Sequence, residues 1–426
     1  MSRRPVVLLA IFAIAAAVAC NESLDSGAAC PSLCPSQNIV IHDTLIDPVL
    51  VFDSTFVGYP ERGQELGMLL ATRGDSIDTR GIIRFDSLTT QFLPTGDTLQ
   101  AIPHVDSSQL RLVLDRRGAK IPSQVTFEVY DVDDTTAADT ASAALLARFT
   151  GAQRIGSRTW LRDSLPDTLL VPLADSAVLD KIKAQRRLRL GVRVSASASV
   201  SLRVHTLESG FPARLLYKPT TNDTTVKIIT VGPTSATPAG SENPEIRQDL
   251  TDFVLVARYG LPQYANTMAI GGMPGRRAYL RFNVPSYITD SNTVVRATLR
   301  LTQRPLPFGD ETDTMVIHAH VALAGPQVTD LRRAANIITT ALLLVNDSLL
   351  IVPRDSGVRT LEIYGLLRAW ANQKTLVNPP PHAVVLRAAP EGLLPLEARF
   401  YSSTAPPGLR PVMRISYVPR ATFGVP

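Results

Sequence analysis

Eight arginines recur on alternating positions of short apolar runs. They are Arg84, Arg111, Arg189, Arg193 and Arg203 in the first half of the chain, and Arg281, Arg300 and Arg399 in the second. A row of planar guanidinium groups can clamp carboxylates bidentately, so the chemistry on offer is recognition of an acidic polymer. Arg84, Arg111, Arg281, Arg300 and Arg399 form the candidate ligand face. The alternative is that they pair with Asp, Glu and Thr on neighbouring strands and keep one sheet face in water. His318 and His320 sit two apart in Val316–Leu323, on one face of a predicted strand. They would need a third ligand from elsewhere to hold a metal, and with Ile317, Val321 and Leu323 turned to the core they read as solvent-side histidines. Asp131, Asp133, Asp134 and Asp139, echoed by Asp310, Glu311 and Asp313, carry the oxygen chemistry of a calcium site. Thr136 and Ser142 stand where an EF-hand needs Gly and Glu, and a solvated polar turn is the simpler account. No nucleophile elbow, zinc-protease helix, phosphate loop or dinucleotide fingerprint occurs, so no catalytic residue and no cofactor site is assigned.

Hydrophobic periodicity says which elements carry these side chains. In Gln109–Asp115, Leu110, Leu112 and Leu114 share one face, opposite Arg111 and Asp115. Arg296–Thr302 and Leu188–Ser195 alternate in the same way. A period of two predicts strands with one face on a core and one in water, as in antiparallel sheets. Four short stretches have helical spacing instead: Asp139–Phe149, Ala174–Arg187, Asp330–Leu344 and Ile363–Lys374.

Composition bounds the rest. With 426 residues, 45% of them hydrophobic and 19% charged, the chain has the apolar surface to fold and is no disordered polymer. Its 3 Cys exclude a disulfide-dense scaffold. Net charge is +5, and Arg3 and Arg4 account for two of it, so there is no nucleic-acid footprint.

The first 20 residues read as an address. Arg3 and Arg4 precede an apolar run from Val6 to Val18, then Ala19 and Cys20. A basic start, a short apolar stretch and small residues before a cut fit a secretory signal, and the run is too short to span a membrane. Ala17-Val18-Ala19-Cys20 resembles a bacterial lipobox, which implies a diacylglyceryl group on Cys20 and a firm membrane anchor. Asn21 in place of Asp points to the outer membrane of a bacterial cell envelope. Asn21–Gln37 is a polar tether, and its Cys30 and Cys34 are spaced for a local disulfide in an oxidising compartment.

The remainder is written twice. Arg80-Gly-Ile-Ile-Arg84-Phe85-Asp86 matches Arg277-Ala-Tyr-Leu-Arg281-Phe282-Asn283. Gln109–Leu114 matches Thr298–Gln303, Ser201–His205 matches Glu397–Tyr401, and Arg214–Pro219 matches Arg414–Pro419, all in the same order. The predicted organisation is a signal peptide (1–19), a lipid-anchored tether (20–43), a domain over 44–219, a linker over 220–244 with one short strand near Val226–Val231, a second domain over 245–419, and a tail (420–426). The expected fold is all-β: two tandem antiparallel β-sandwich, jelly-roll-like domains with short helical insertions.

The run Arg277–Val284, then Arg296-Ala-Thr-Leu-Arg300-Leu301, a helix with Ala369-Trp370 and the closing Arg410–Tyr417 resemble the DNRLRE domain family. That resemblance implies a secreted bacterial jelly-roll-like domain, in some cases described as carbohydrate-binding. It covers 245–419, and 44–219 more loosely, where the second helical segment has no Trp and Phe92–Val105 is inserted. The expected function is therefore that of a non-enzymatic, envelope-anchored lipoprotein binding a polysaccharide or an envelope protein. A structural spacer or assembly component of the outer membrane is the alternative, and a glycan-active enzyme ranks last.

Overall fold

The period-two runs are strands throughout the computed structural model, which describes residues 41–47, 54–60, 62–95, 98–134, 142–234, 250–261, 264–307, 313–322, 344–372 and 383–420. The chain divides into two units, Met1–Ile41 and His42–Pro426, and the second is described below. Cys20, Cys30, Cys34, Asp139, Asp310 and Glu311 lie outside the described residues, as does most of the helix expected over 330–344. Its last residue, Leu344, opens a strand.

Strands β1 (His42–Ile46) and β2 (Ser54–Tyr59) lead. A first repeat follows: β3 (Gly67–Arg73), β4 (Ile77–Phe85), a small hairpin of β5 (Gln91–Phe92) and β6 (Gln100–Ala101), β7 (Val105–Lys120), β8 (Gln124–Asp131), helix α1 (Ser142–Ala147), β9 (Arg154–Leu161), β10 (Thr168–Leu173), helix α2 (Asp175–Lys183), β11 (Leu188–Ser195), β12 (Val200–His205) and β13 (Arg214–Pro219). Next come β14 (Ile229–Val231) and β15 (Asp252–Tyr259). The second repeat is β16 (Thr267–Gly271), β17 (Gly275–Arg281), helix α3 (Ser286–Asp290), β18 (Asn292–Arg304), β19 (Met315–Ala322), β20 (Leu344–Ile351), β21 (Gly357–Glu362), helix α4 (Tyr364–Asn372), β22 (Ala383–Ala389), β23 (Glu397–Tyr401) and β24 (Val412–Pro419).

The fold is all-β, in two curled 11-stranded antiparallel sheets, and their ladders correspond strand for strand. The first runs β9-β8-β11-β4-β3-β12-β7-β13 and the second β20-β19-β22-β17-β16-β23-β18-β24. In the first, β10 pairs both β9 and β7, so the sheet closes on itself like a barrel. Gly156 permits that closure, because a Cβ there would strike the Pro172 carbonyl oxygen and lie 2.8 Å from Leu173 Cδ2. In the second, β21 pairs β18 alone among the described residues.

The flanking strands are shared out unevenly. β14 and β15 follow the first repeat and complete it, on β13 and β4. β1 and β2 precede that same repeat, yet they pair with β24 and β17 of the second. Even the irregularities match, since both β15 and β2 slip by one residue near their ends, at Val256/Arg258 and opposite Gly275/Arg276. The chain therefore closes on itself from its N-terminal to its C-terminal strand. The boundaries expected at 44 and 245 do not describe this pairing, because local periodicity carries no information about partners 370 residues away.

Each sheet wraps an apolar core, one around Leu110, Phe127, Leu190 and Leu215, the other around Leu280, Leu299, Trp370 and Phe400. A third cluster decides the fate of the arginines. Ile82, Tyr130, Val132, Leu145, Leu250 and Phe253 pack on the outer face of β4, β8 and β11, under α1 and the start of β15. That face was expected to meet water. Instead Arg84 and Arg189 are each 1% exposed, and Gly191 leaves only enough room for the Phe149 ring, 2.5 Å from where its Cβ would stand. Alternation identifies residues that share a face and is silent on whether another layer covers it.

Candidate functional site

Of the five arginines of the candidate ligand face, two are structural. Arg84 Nη2 donates to Asp86 Oδ2 at 2.6 Å, with both groups nearly dry. Arg399 is 3% exposed and pairs with the buried Glu397, which also accepts from Arg276 Nη1 at 2.6 Å. Arg203, its counterpart in the first repeat, gives its Nε hydrogen to the Leu393 carbonyl at 2.7 Å and so ties the repeats together. Arg111 and Arg281 are half-buried. Arg281 occupies the place of Arg84 in the matched motif, and Asn283 stands where the first repeat has Asp86. The structure does not gather the five into one face.

Arg300 alone is exposed, and it lies in a groove. On β18, Arg296, Thr298 and Arg300 point to the same side, as a strand's period of two requires. The ladders set Arg300 opposite Val412 and Thr360, Thr298 opposite Arg414 and Glu362, and Arg296 opposite Ser416. β1 adds the outer wall with Asp43 and Leu45, opposite Ser416 and Arg414. The depression that these residues line, with Glu362 just outside it, has a volume of about 520 Å³, within the range of small-ligand sites.

Charge in the groove is partly committed. Arg414 Nη2 donates to Asp43 Oδ2 at 2.6 Å, and Ser416 Oγ to Asp43 Oδ1 at 2.5 Å. The Ser416 hydroxyl and then Arg414 hold the Asp43 carboxyl below its ordinary pKa, so it stays ionised. Arg296 Nε donates to Glu362 Oε2 at 3.1 Å, and Glu362 Oε1 also accepts from the Ala297 amide. Arg300 has no ion-pair partner among the described residues. Three guanidinium groups against two carboxylates leave one positive charge, flanked by the hydroxyls of Thr298, Thr360 and Ser416. Among the described residues no aromatic ring lines the groove, so none of them offers a sugar a stacking surface there. What the arrangement can do is accept a carboxylate on Arg300 and hydrogen-bond neighbouring hydroxyls. Sequence analysis singled out Arg300 and missed Arg296, Arg414, Glu362 and Asp43. Arg296 was legible from its spacing to Arg300; Asp43 had no signal, because it arrives on a strand from the other end of the chain.

A second cavity, of about 360 Å³, lies where the repeats meet, between Arg73, Ile77, Lys120 and Val200 on one side and Leu394 and Leu396 on the other. Lys120 is engaged there by Asp313.

The remaining candidates resolve into structure. His320 was expected in solvent and is fully buried on β19, where the Arg387 side chain from β22 lies against it. Its Nε2 accepts from Arg387 Nε at 2.9 Å, and burial, with that guanidinium beside it, pushes its pKa down to about 3. A neutral imidazole already engaged in this way is a packing element. In the acidic loop, Asp133 accepts from Arg187 Nε at 2.7 Å and from Lys181 at 3.3 Å, Asp131 pairs with Lys181, and Asp134 with Arg148. Basic side chains therefore occupy the positions a calcium ion would need. Among the described residues no group of three or more His, Cys, Asp or Glu is placed to hold a metal.

No family model matches the chain, and no curated protein sequence does. Solved structures offer faint likenesses to viral capsids. T=1 particles derived from infectious bursal virus share 11% identity over 89% of this chain and 75% of theirs, at a TM-score of 0.15. The Macrobrachium rosenbergii nodavirus shares 9% over 92% and 95%, also at 0.15. TM-scores this low show no common fold.

Proposed function

We propose that this chain is a non-enzymatic lipoprotein of the bacterial envelope, anchored through Cys20, whose second repeat binds an acidic polysaccharide in the groove around Arg300. In this reading each curled sheet is a jelly-roll-like sandwich, the second of them DNRLRE-like. One observation carries it: an exposed arginine without a counter-ion among the described residues, set among hydroxyls in a depression of suitable size. A uronate carboxylate would dock on Arg300, and the ring hydroxyls would meet Thr298, Thr360 and Ser416. Recognition by guanidinium rather than by aromatic stacking selects charged over neutral glycans. Envelope attachment rests on the signal-like leader and its lipobox.

The test is retention of the detergent-solubilised chain on immobilised polyuronate. Arg300→Ala with Arg296→Ala should abolish retention at ionic strengths where the parent chain is held, and neutral glucans should retain neither. Equal retention of both proteins overturns the assignment and leaves the spacer reading in its place.

A further inference from the structure

The first two described strands behave, by position, like a ligand of the second repeat. In the first repeat the equivalent strands are held by chain on both sides: β14 follows β13 after nine residues, and β15 runs on into the second repeat. β1 and β2 are tied to the folded body only through 60–66, the short connector to β3. What holds them otherwise is non-covalent. β1 makes five register pairs with β24, from His42↔Tyr417 to Ile46↔Met413. β2 makes five with β17, from Ser54↔Tyr279 to Tyr59↔Gly275. Ile46 is 8% exposed and joins the core of the second sheet.

We propose that the edges of β17 and β24 covered by β2 and β1 form a strand-acceptor site whose occupant is that pair of strands, supplied by the same chain or exchanged with a second copy of it. Without that pair the second repeat would present two rows of unpaired amide and carbonyl groups, a template for an incoming strand. The first repeat shows which strands fit, since its own acceptor edges on β4 and β13 are filled by β15 and β14 in matching register. A connector of this length gives the tethered segment an effective concentration on the order of millimolar. The chain therefore closes on itself in dilute solution. Exchange between copies follows when folding or refolding takes place in crowded conditions, and it yields a dimer in which each second repeat is completed by its partner.

The experiment uses the full chain with a specific protease site inserted after Pro60, cut after folding. The severed N-terminal piece should co-elute with the body at micromolar concentration. Displaced by dilution, it should be replaced by a fluorescent peptide of residues 41–60 at one per chain, at least 100-fold more tightly than a scrambled peptide. Loss of the piece should lower the melting temperature, and the peptide should restore it. Separately, uncut chain refolded at high concentration should give a dimer that low-concentration refolding converts to monomer. A severed piece that departs with no change in melting, or a body that takes up both peptides equally, overturns the proposal. These readouts are independent of glycan retention.

Discussion

The outer faces of the two repeats share one ladder and almost none of its chemistry. Where the second has Arg300 between Val412 and Thr360, the first has Arg111 between Arg214 and Leu170. Where the second sets Thr298 between Arg414 and Glu362, the first sets Gln109 between Leu216 and Pro172. The first face keeps the scaffold and replaces hydroxyls and a carboxylate with apolar side chains. Identical backbone thus does not propagate a site, because the site resides in outward positions on which folding makes little demand. A second contrast runs the other way. The first sheet closes through Gly156 and buries Arg84 and Arg189 under α1 and β15, whereas in the second β21 pairs β18 alone among the described residues and Arg300 stays exposed.

The largest expected effect tests the junction that both repeats share. Tyr259 of β15 donates to Glu397 at 3.4 Å, and that carboxylate answers Arg276 and Arg399. Glu397→Gln strips the nearly dry Arg399 and the half-buried Arg276 of their counter-charge and should cost about 3–5 kcal/mol, read by chemical denaturation. Both repeats should lose stability together if the junction couples them; a loss confined to one would break the comparison.

Next in size is Gly156→Ala, which should cost about 1–3 kcal/mol through backbone collision at the closure of the first sheet. Second-repeat binding should be untouched. Calorimetry together with polyuronate retention separates the two outcomes.

A smaller, pH-dependent effect belongs to two buried carboxyl groups, Asp252 at the start of β15 and Glu65 in the turn between β2 and β3. Burial raises Asp252 to about 8, with Glu208 and Glu65 beside it, and burial raises Glu65 to about 7. The folded chain binds these protons more firmly than the unfolded one, so their contribution is complete at acid pH and is lost as pH rises through 7 to 8. Asp252→Asn should flatten the fall in melting temperature between pH 5 and pH 8. An unchanged slope would remove Asp252 from the account.

The smallest effect sharpens the contrast directly. Arg111→Ala should leave polyuronate retention unchanged, whereas Leu216→Arg with Leu170→Thr should confer weak retention on a chain already carrying Arg300→Ala and Arg296→Ala. Failure of that graft would mean that Asp43 or Glu362 is needed to orient the cations.

Much of the architecture was legible. Leu110, Leu112 and Leu114 alternate as expected and are buried, and α2 and α4 lie inside the predicted Ala174–Arg187 and Ile363–Lys374. The matched motifs also align, with one exception. Arg214 lies opposite Arg111, while Arg414 lies opposite Thr298 rather than Arg300, a slip of two that preserves the inward face. Sequence similarity cannot register such a slip, since a shift of two keeps every side chain on its side. The burial of Arg84, Arg189 and His320 was hidden for another reason. It depends on what packs above a strand, and polarity in the strand itself does not reveal a second layer when the polar group finds a partner there.

The pairing of β1 with β24 has a consequence for biosynthesis. Of the described strands, the first made must wait for the last made, about 375 residues later, before the second repeat can be finished. At about 5–20 residues per second that delay is roughly 20–75 s, during which the nascent chain carries an unsatisfied edge. Ribosomal pauses, truncated messages or slow export would all prolong that vulnerable interval. A chain built this way ought to depend on escort by a holding chaperone more than its modest size suggests.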